Sequence, residues 1–186
     1  MTSVKIAFYS ICMICAAYVC VAPLCPEIGK LLKDSKVIPD LINEVPEDIV
    51  TVVWMDNQTE MVPGTLYHEH QVAFEPGLFY EPINGTYYTS ILTTPDGVKY
   101  TPPYIWLNVN IPGLMLHEGD NLTNFTPPPA IFKDQRYVFL IYEQPSRMKF
   151  ERSEVFPNYP NFNLAEFLSK FTFKRLIGAN YFRLRH

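Results

Sequence analysis

Residues 119–145 read GDNLTNFTPPPAIFKDQRYVFLIYEQP. Within them, Arg136 to Glu143 (RYVFLIYE) form a near-continuous apolar run, the signature of a strand buried on both faces. Pro127-Pro128-Pro129, just before it, is an extended connector. Working outward, Tyr87 to Thr93 and Ile105 to Ile111 read as further strands, the second followed by Pro112-Gly113. Asp48 to Met55 (DIVTVVWM) is rich in β-branched residues and reads as a strand. Gly64 to Phe74 alternates, with Leu66, His68, His70, Val72 and Phe74 on one face, and Pro76 and Gly77 end it. Near the C-terminus the period changes. Asn163 followed by Glu166 resembles a capping box. Leu164, Phe167, Leu168 and Phe171 then recur at helical spacing, which predicts an amphipathic helix with Lys170 and Lys174 on its solvent side. A shorter helical pattern runs from Pro26 to Asp34, with Ile28, Leu31 and Leu32 on one face, and Val37-Ile38-Pro39-Asp40 breaks it.

Composition agrees with a strand-dominated chain. The 186 residues include 17 Pro against 8 Gly, which disfavours a helical bundle because proline interrupts element interiors. A hydrophobic share of 48% and a charged share of 18% exclude a disordered chain and a coiled coil. A formal charge of -4 excludes a general nucleic-acid binder, since nothing supplies a broad phosphate-neutralising surface. The expectation is a mostly β fold with short flanking helices, in one domain over residues 23–186.

The first 22 residues read as an address. Lys5 is the only charge in the first 26 residues, and Ile6 to Ala22 is almost wholly apolar. A positive n-region, an apolar h-region and small residues near its end form a secretory signal peptide, with cleavage after Ala22 and Ala17 as the fallback. The alternative is a membrane tether, because Ile6 to Cys25 is about as long as a bilayer-spanning helix of ~20 residues. Four N-x-[ST] sequons, at Asn57, Asn84, Asn121 and Asn124, agree with export and mark candidate glycosylation sites. Cys12, Cys15 and Cys20 lie in the signal, so cleavage leaves Cys25 alone and no disulfide framework.

Generic chemistry is sparse. His68-Glu69-His70 sets two imidazoles on one strand face about 7 Å apart, but a metal centre needs a third ligand, and no spacing implicates His117 or His186. No G-x-S-x-G, Gly-rich phosphate loop or HExxH occurs. Glu118-Gly119-Asp120 and Thr94-Pro95-Asp96-Gly97 read as turns. Lys170, Lys174, Arg175, Arg183 and Arg185 read as a solvated helix face and tail.

A longer pattern is more specific. Tyr88 to Gly113 reads YTSILTTPDGVKYTPPYIWLNVNIPG, the segment quoted at the outset follows, and the chain closes NLAEFLSKFTFKRLIGANYF. Together these resemble the phosphatidylethanolamine-binding protein family, also called Raf kinase inhibitor proteins, over most of residues 30–182. The resemblance implies a fold of two antiparallel-rich β-sheets with a small anion pocket at one end. It implies pocket positions at Thr94, Asp96, Ile105, Gln135, Arg136, Tyr137 and Phe182. The family's first Asp of DPD falls on Thr94, its strand His on Ile105, the His of its HR pair on Gln135, and its C-terminal aromatic on Phe182. Only Asp96, Arg136 and Tyr137 keep family identities.

Those departures predict a degenerate pocket. A phosphate group needs convergent donors to replace its water shell. Two imidazoles are gone, Gln135 offers only a neutral donor, and Arg136 is expected to pair with Asp96. The expected function is secreted, non-enzymatic binding of a lipid or small hydrophobic ligand, by a monomer without cofactor, metal or nucleic acid. The alternative is a protein-interaction module, a protease inhibitor or signalling modulator, acting by its surface.

Overall fold

The computed structural model describes residues 25–55, 58–96, 104–157 and 162–185. The signal over residues 1–22, with Cys12, Cys15 and Cys20, lies outside the described residues, as does Asn57. Among the described residues no helix is long and apolar enough to cross a membrane.

The chain opens with α1 (Cys25–Asp34) and a short kinked turn α2 (Val37–Asp40). Strands follow: β1 (Asp48–Ile49), β2 (Thr51–Trp54), β3 (Thr59–Glu60), β4 (Leu66–His68), β5 (Pro76–Phe79), β6 (Tyr87–Thr93), β7 (Ile105–Pro112), β8 (Asp120–Thr123) and β9 (Gln135–Glu143). The helices α3 (Arg152–Val155) and α4 (Leu164–Lys170) precede a last strand, β10 (Arg175–Arg185). The main sheet has the order β1-β10-β9-β6-β7-β8, with β4 also paired to β10, and a small antiparallel sheet has the order β3-β2-β5. In the main sheet β1 and β4 run parallel to β10 while the other pairs are antiparallel.

The double burial expected of residues 136–143 is what organises these layers. Val138, Leu140 and Tyr142 join one cluster with Ile28 and Leu32 of α1 and Leu164 and Phe167 of α4. Tyr137, Phe139 and Ile141 join the other with Val52 and Trp54 of β2 and Leu78 of β5. The helices cover one face of the main sheet and the small sheet covers the other. Asn163 caps α4 by accepting a hydrogen bond from the Glu166 backbone N–H at 3.1 Å, as its sequence predicts.

Three expectations are corrected. Residues 64–74 do not form one strand: β4 stops at His68, and Glu69–Val72 turn as a 3₁₀ helix. The His68 N–H donates to the Gln71 side chain at 2.9 Å, which stabilises the turn. The two imidazoles consequently stack 5.9 Å apart instead of standing along a strand face. Lys174 lies beyond α4. Arg175, Arg183 and Arg185 belong to β10, not to a tail, and Lys174 and Arg175 both bind Glu143, at 2.8 and 2.6 Å. Gly178 allows β1 to lie against β10, because a Cβ there would sit 2.7 Å from the Val50 side chain.

Phe139 and Leu140 are both fully buried, on opposite faces of one strand. Phe139→Ala is expected to lower unfolding stability by about 3–5 kcal/mol and Leu140→Ala by about 2–5 kcal/mol. A half-exposed strand would leave one of the two changes near neutral. Urea denaturation of the two variants checks this.

Candidate functional site

At one end of the main sheet, β6 runs out into Thr94 and Asp96, and β9 begins with Gln135, Arg136 and Tyr137. Tyr137 pairs in register with Phe182 of β10. The Thr94 hydroxyl accepts the Asp96 N–H at 3.0 Å and so turns the Asp96 carboxylate toward β9.

All three guanidinium nitrogens of Arg136 are engaged there. Its Nη2 and Nε donate to Asp96 at 2.6 and 3.1 Å, and its backbone N–H donates to the same carboxylate at 2.7 Å. Nη1 donates to the Ser35 carbonyl at 2.8 Å and reaches Asp40 at 2.9 Å. The guanidinium thereby ties the α1–α2 connection to the end of β6. Burial pushes the Asp96 carboxyl up, but hydrogen bonds from the Arg136 side chain and backbone, together with its charge, outweigh this and hold it below the ordinary 3.8. Asp96 raises the Arg136 guanidinium in turn, burial opposes, and Asp40 adds to the rise.

Gln135 is buried. Its Oε1 accepts the N–H groups of Ile131 and Phe132 at 3.1 and 3.4 Å, and its amide nitrogen makes a long 3.5 Å contact to the Asp96 carbonyl. Tyr137 donates to the Pro129 carbonyl at 2.5 Å, and its ring stacks on Phe182 with centroids 5.4 Å apart. Burial pushes the Tyr137 hydroxyl up, so it stays a neutral donor. The end of the sheet thus carries a neutral amide and packed aromatic rings, with the Arg136 guanidinium held by carboxylates.

All seven expected positions lie at this end, but on two faces: Tyr137 and Phe182 face the small sheet, while Arg136, bonded to Ser35 and Asp40, faces the helices. Ile105 lies on the helical face too, a correction to the expectation of a single shared pocket. Its side chain packs with the cluster under the helices, on the opposite face from Tyr137 and Phe182. Tyr104, one residue earlier, takes the facing place, with its ring edge-on to Tyr137 at 5.4 Å and its hydroxyl donating to the Thr126 carbonyl at 2.7 Å. Strand alternation in YIWLNVN could have found it, since Tyr104 and Trp106 share a face. Asp40 and Glu69 were also missed. Glu69 accepts the Ala130 N–H at 2.7 Å and so fastens the connector after the three prolines. No local signal marks either carboxylate. His68 and His70 find no third partner, and among the described residues no cluster of three metal-ligating side chains occurs. Asn84, Asn121 and Asn124 are exposed.

No family model matches the chain. A Drosophila melanogaster protein named as odorant-binding protein A5 is 26% identical over 169 residues, which is 85% of this chain and 80% of that protein. The 26 kDa secreted antigen of Toxocara canis is 27% identical over 164 residues, 80% of this chain and 61% of the antigen. Among solved structures, the carboxypeptidase Y inhibitor in complex with its cognate proteinase superposes with a TM-score of 0.72 at 14% identity, covering 89% of this chain and 98% of that one. A phosphatidylethanolamine-binding protein from Plasmodium falciparum superposes with a TM-score of 0.60 at 14% identity, covering 84% and 96%.

The Asp96–Arg136 clamp carries a pH dependence. Asp96 has a depressed carboxyl in the folded chain, so its contribution is complete above the unfolded carboxylate value and is lost as pH falls through the folded one. Asp96→Asn is expected to lower stability at pH 7 and to flatten the stability profile below about pH 4. Arg136→Met, which strands Asp96, is expected to cost about 1.5–3 kcal/mol at pH 7. Thermal unfolding between pH 2 and 7 reads both.

Proposed function

We propose that this chain, a divergent protein of the phosphatidylethanolamine-binding type, is a secreted non-enzymatic binding protein whose sheet-end site takes a lipid or small hydrophobic ligand. The carboxylate-bound Arg136 carries this reading. An anion entering the site would have to displace Asp96 or Asp40 from the guanidinium, and Gln135 offers only a neutral amide donor, the weaker class of bond to an anion. What remains for a ligand is the partly exposed ring of Tyr104, backed by the buried rings of Tyr137 and Phe182, which suits apolar groups. The names of the relatives, an odorant-binding protein and a secreted antigen, support an extracellular binding role. The exposed asparagines at 84, 121 and 124 support glycan attachment at those sequons, with Asn57 a further acceptor.

The second reading is an interaction module acting by its surface, whose sheet-end site is vestigial. The similar inhibitor's capture with a proteinase supports it, as does the exposure of Phe79 and Leu114 away from the sheet end.

Calorimetric titration with phosphoethanolamine and with inorganic phosphate is expected to give no binding below about 1 mM. An apolar fluorescent probe is expected to bind and to be displaced by fatty-acyl ligands. Phosphoethanolamine binding as tight as that of a relative with both pocket histidines overturns the reading, and failure of every apolar probe leaves the surface reading. Tyr104→His with Gln135→His is expected to introduce phosphate binding. Ile105→His with Gln135→His is not, because residue 105 faces the other cluster.

A further inference from the structure

A second concave surface lies away from the sheet-end site. Thr51 of β2 stands opposite Phe79 of β5, and beside this pair runs an open groove of about 500 Å³. Its apolar lining comes from Ile49, Met61, Phe79 and Leu114. Phe79 is 49% exposed and Leu114 41% exposed, so two large apolar side chains stand in water at its margin. The Tyr80 hydroxyl donates to the Gly113 carbonyl at 2.6 Å and holds the turn that carries Leu114 against the end of the small sheet. Leu114 lies two residues past the end of β7, whereas the sheet-end site lies where β7 begins.

The charge in this groove has one sign. Asp48, Glu60 and Glu81 line it, and among the described residues no Lys, Arg or His does. Glu60 and Glu81 are exposed and form no ion pair among the described residues. Asp48 accepts the Ile49 N–H through Oδ1 at 2.7 Å. An apolar floor ringed by uncompensated carboxylates is complementary to a segment that presents large apolar side chains between cations. The groove is open at its margin, which fits an extended segment better than a small molecule, since small-ligand sites enclose most of their ligand.

We propose that this groove docks a basic, apolar peptide segment of a partner protein, with Phe79 and Leu114 contacting its apolar residues and Glu60 and Glu81 its Lys or Arg. The proposal names a surface for the second reading above and does not require a ligand at the sheet end. The test uses the mature chain and two labelled peptides: one with Leu-Phe flanked on both sides by Lys and Arg, the other with Glu at every basic position. Fluorescence polarisation is expected to show binding of the basic peptide alone, weakening as salt rises past ~0.15 M. Glu60→Lys/Glu81→Lys and, separately, Phe79→Ser are each expected to weaken it about tenfold or more. Glu154→Lys/Glu166→Lys, an equal charge change on the helical side, is expected to weaken it far less. Amide shifts on binding are expected at Thr51, Met61, Phe79 and Leu114. Equal binding of both peptides, equal loss in the helical-side control, or amide shifts confined elsewhere each overturn the proposal. Self-association abolished by the groove variant, without peptide binding, assigns the groove to a second copy and overturns it too. Apolar-probe binding at the sheet end is expected to be unchanged in the groove variants, so the two functional readings fail separately.

Discussion

From Tyr137 to Tyr142, β9 sends alternate side chains into two separate clusters. A strand that is apolar on both faces must be covered on both, and the remaining architecture follows from meeting that demand. The helices α1 and α4 supply one cover and the small sheet the other. The neighbours β6 and β10 satisfy the backbone of β9 on its two sides. The apolar run ends in a charge at each extremity. Arg136 is closed by Asp96 and Asp40. Glu143, with its side chain 4% exposed, is closed by Lys174 and Arg175. A buried charge left without a partner would be strongly destabilising, so each end of the strand recruits its partners from segments far along the chain.

Those recruitments shape the chemistry of the sheet end. An arginine fork recognises an anion only with donors to spare, and here Nε, Nη1 and Nη2 already serve Asp96, Asp40 and Ser35. A guanidinium committed to the fold is withdrawn from ligand recognition. The Gln135 carbonyl oxygen fixes the backbone at Ile131 and Phe132, and its neutral amide nitrogen lies 3.5 Å from the Asp96 carbonyl. Polar residues at both positions therefore hold the frame together beside the buried rings of Tyr137 and Phe182.

Legibility in the sequence follows the range of the interaction. Tyr87–Thr93 and the Asn163 cap were readable because strand content and capping are local. β9 was readable within one residue from its apolar run. β10 was not. RLIGANYFRLR follows the helical residues of α4 almost at once, and its flanking Arg residues resemble a solvated tail. Only pairing to β9, β1 and β4 makes that segment a strand. The alternation of residues 64–74 misled for the opposite reason, since its period is that of a strand while the Gln71 side chain holds the chain in a turn. Asp40 gave no sign of its role, because an ion pair across so much sequence leaves no local pattern.

The face assignment at residues 104 and 105 shows how a resemblance and a strand can disagree. Matching the segments places the family's strand histidine on Ile105, and that match concerns sequence order. Which face a residue takes is set by the period of two, and a shift of one position moves a side chain to the other side of the sheet. Trp106 lies in the cluster with Tyr137 and Phe182, so Ile105 lies opposite and Tyr104 lies beside them. The facing place at the sheet end is consequently taken by residue 104, not residue 105. A phenol ring occupies the facing place, with its hydroxyl committed to the Thr126 carbonyl and raised by burial. Any contact from that hydroxyl to another group would require releasing its hydrogen bond to Thr126.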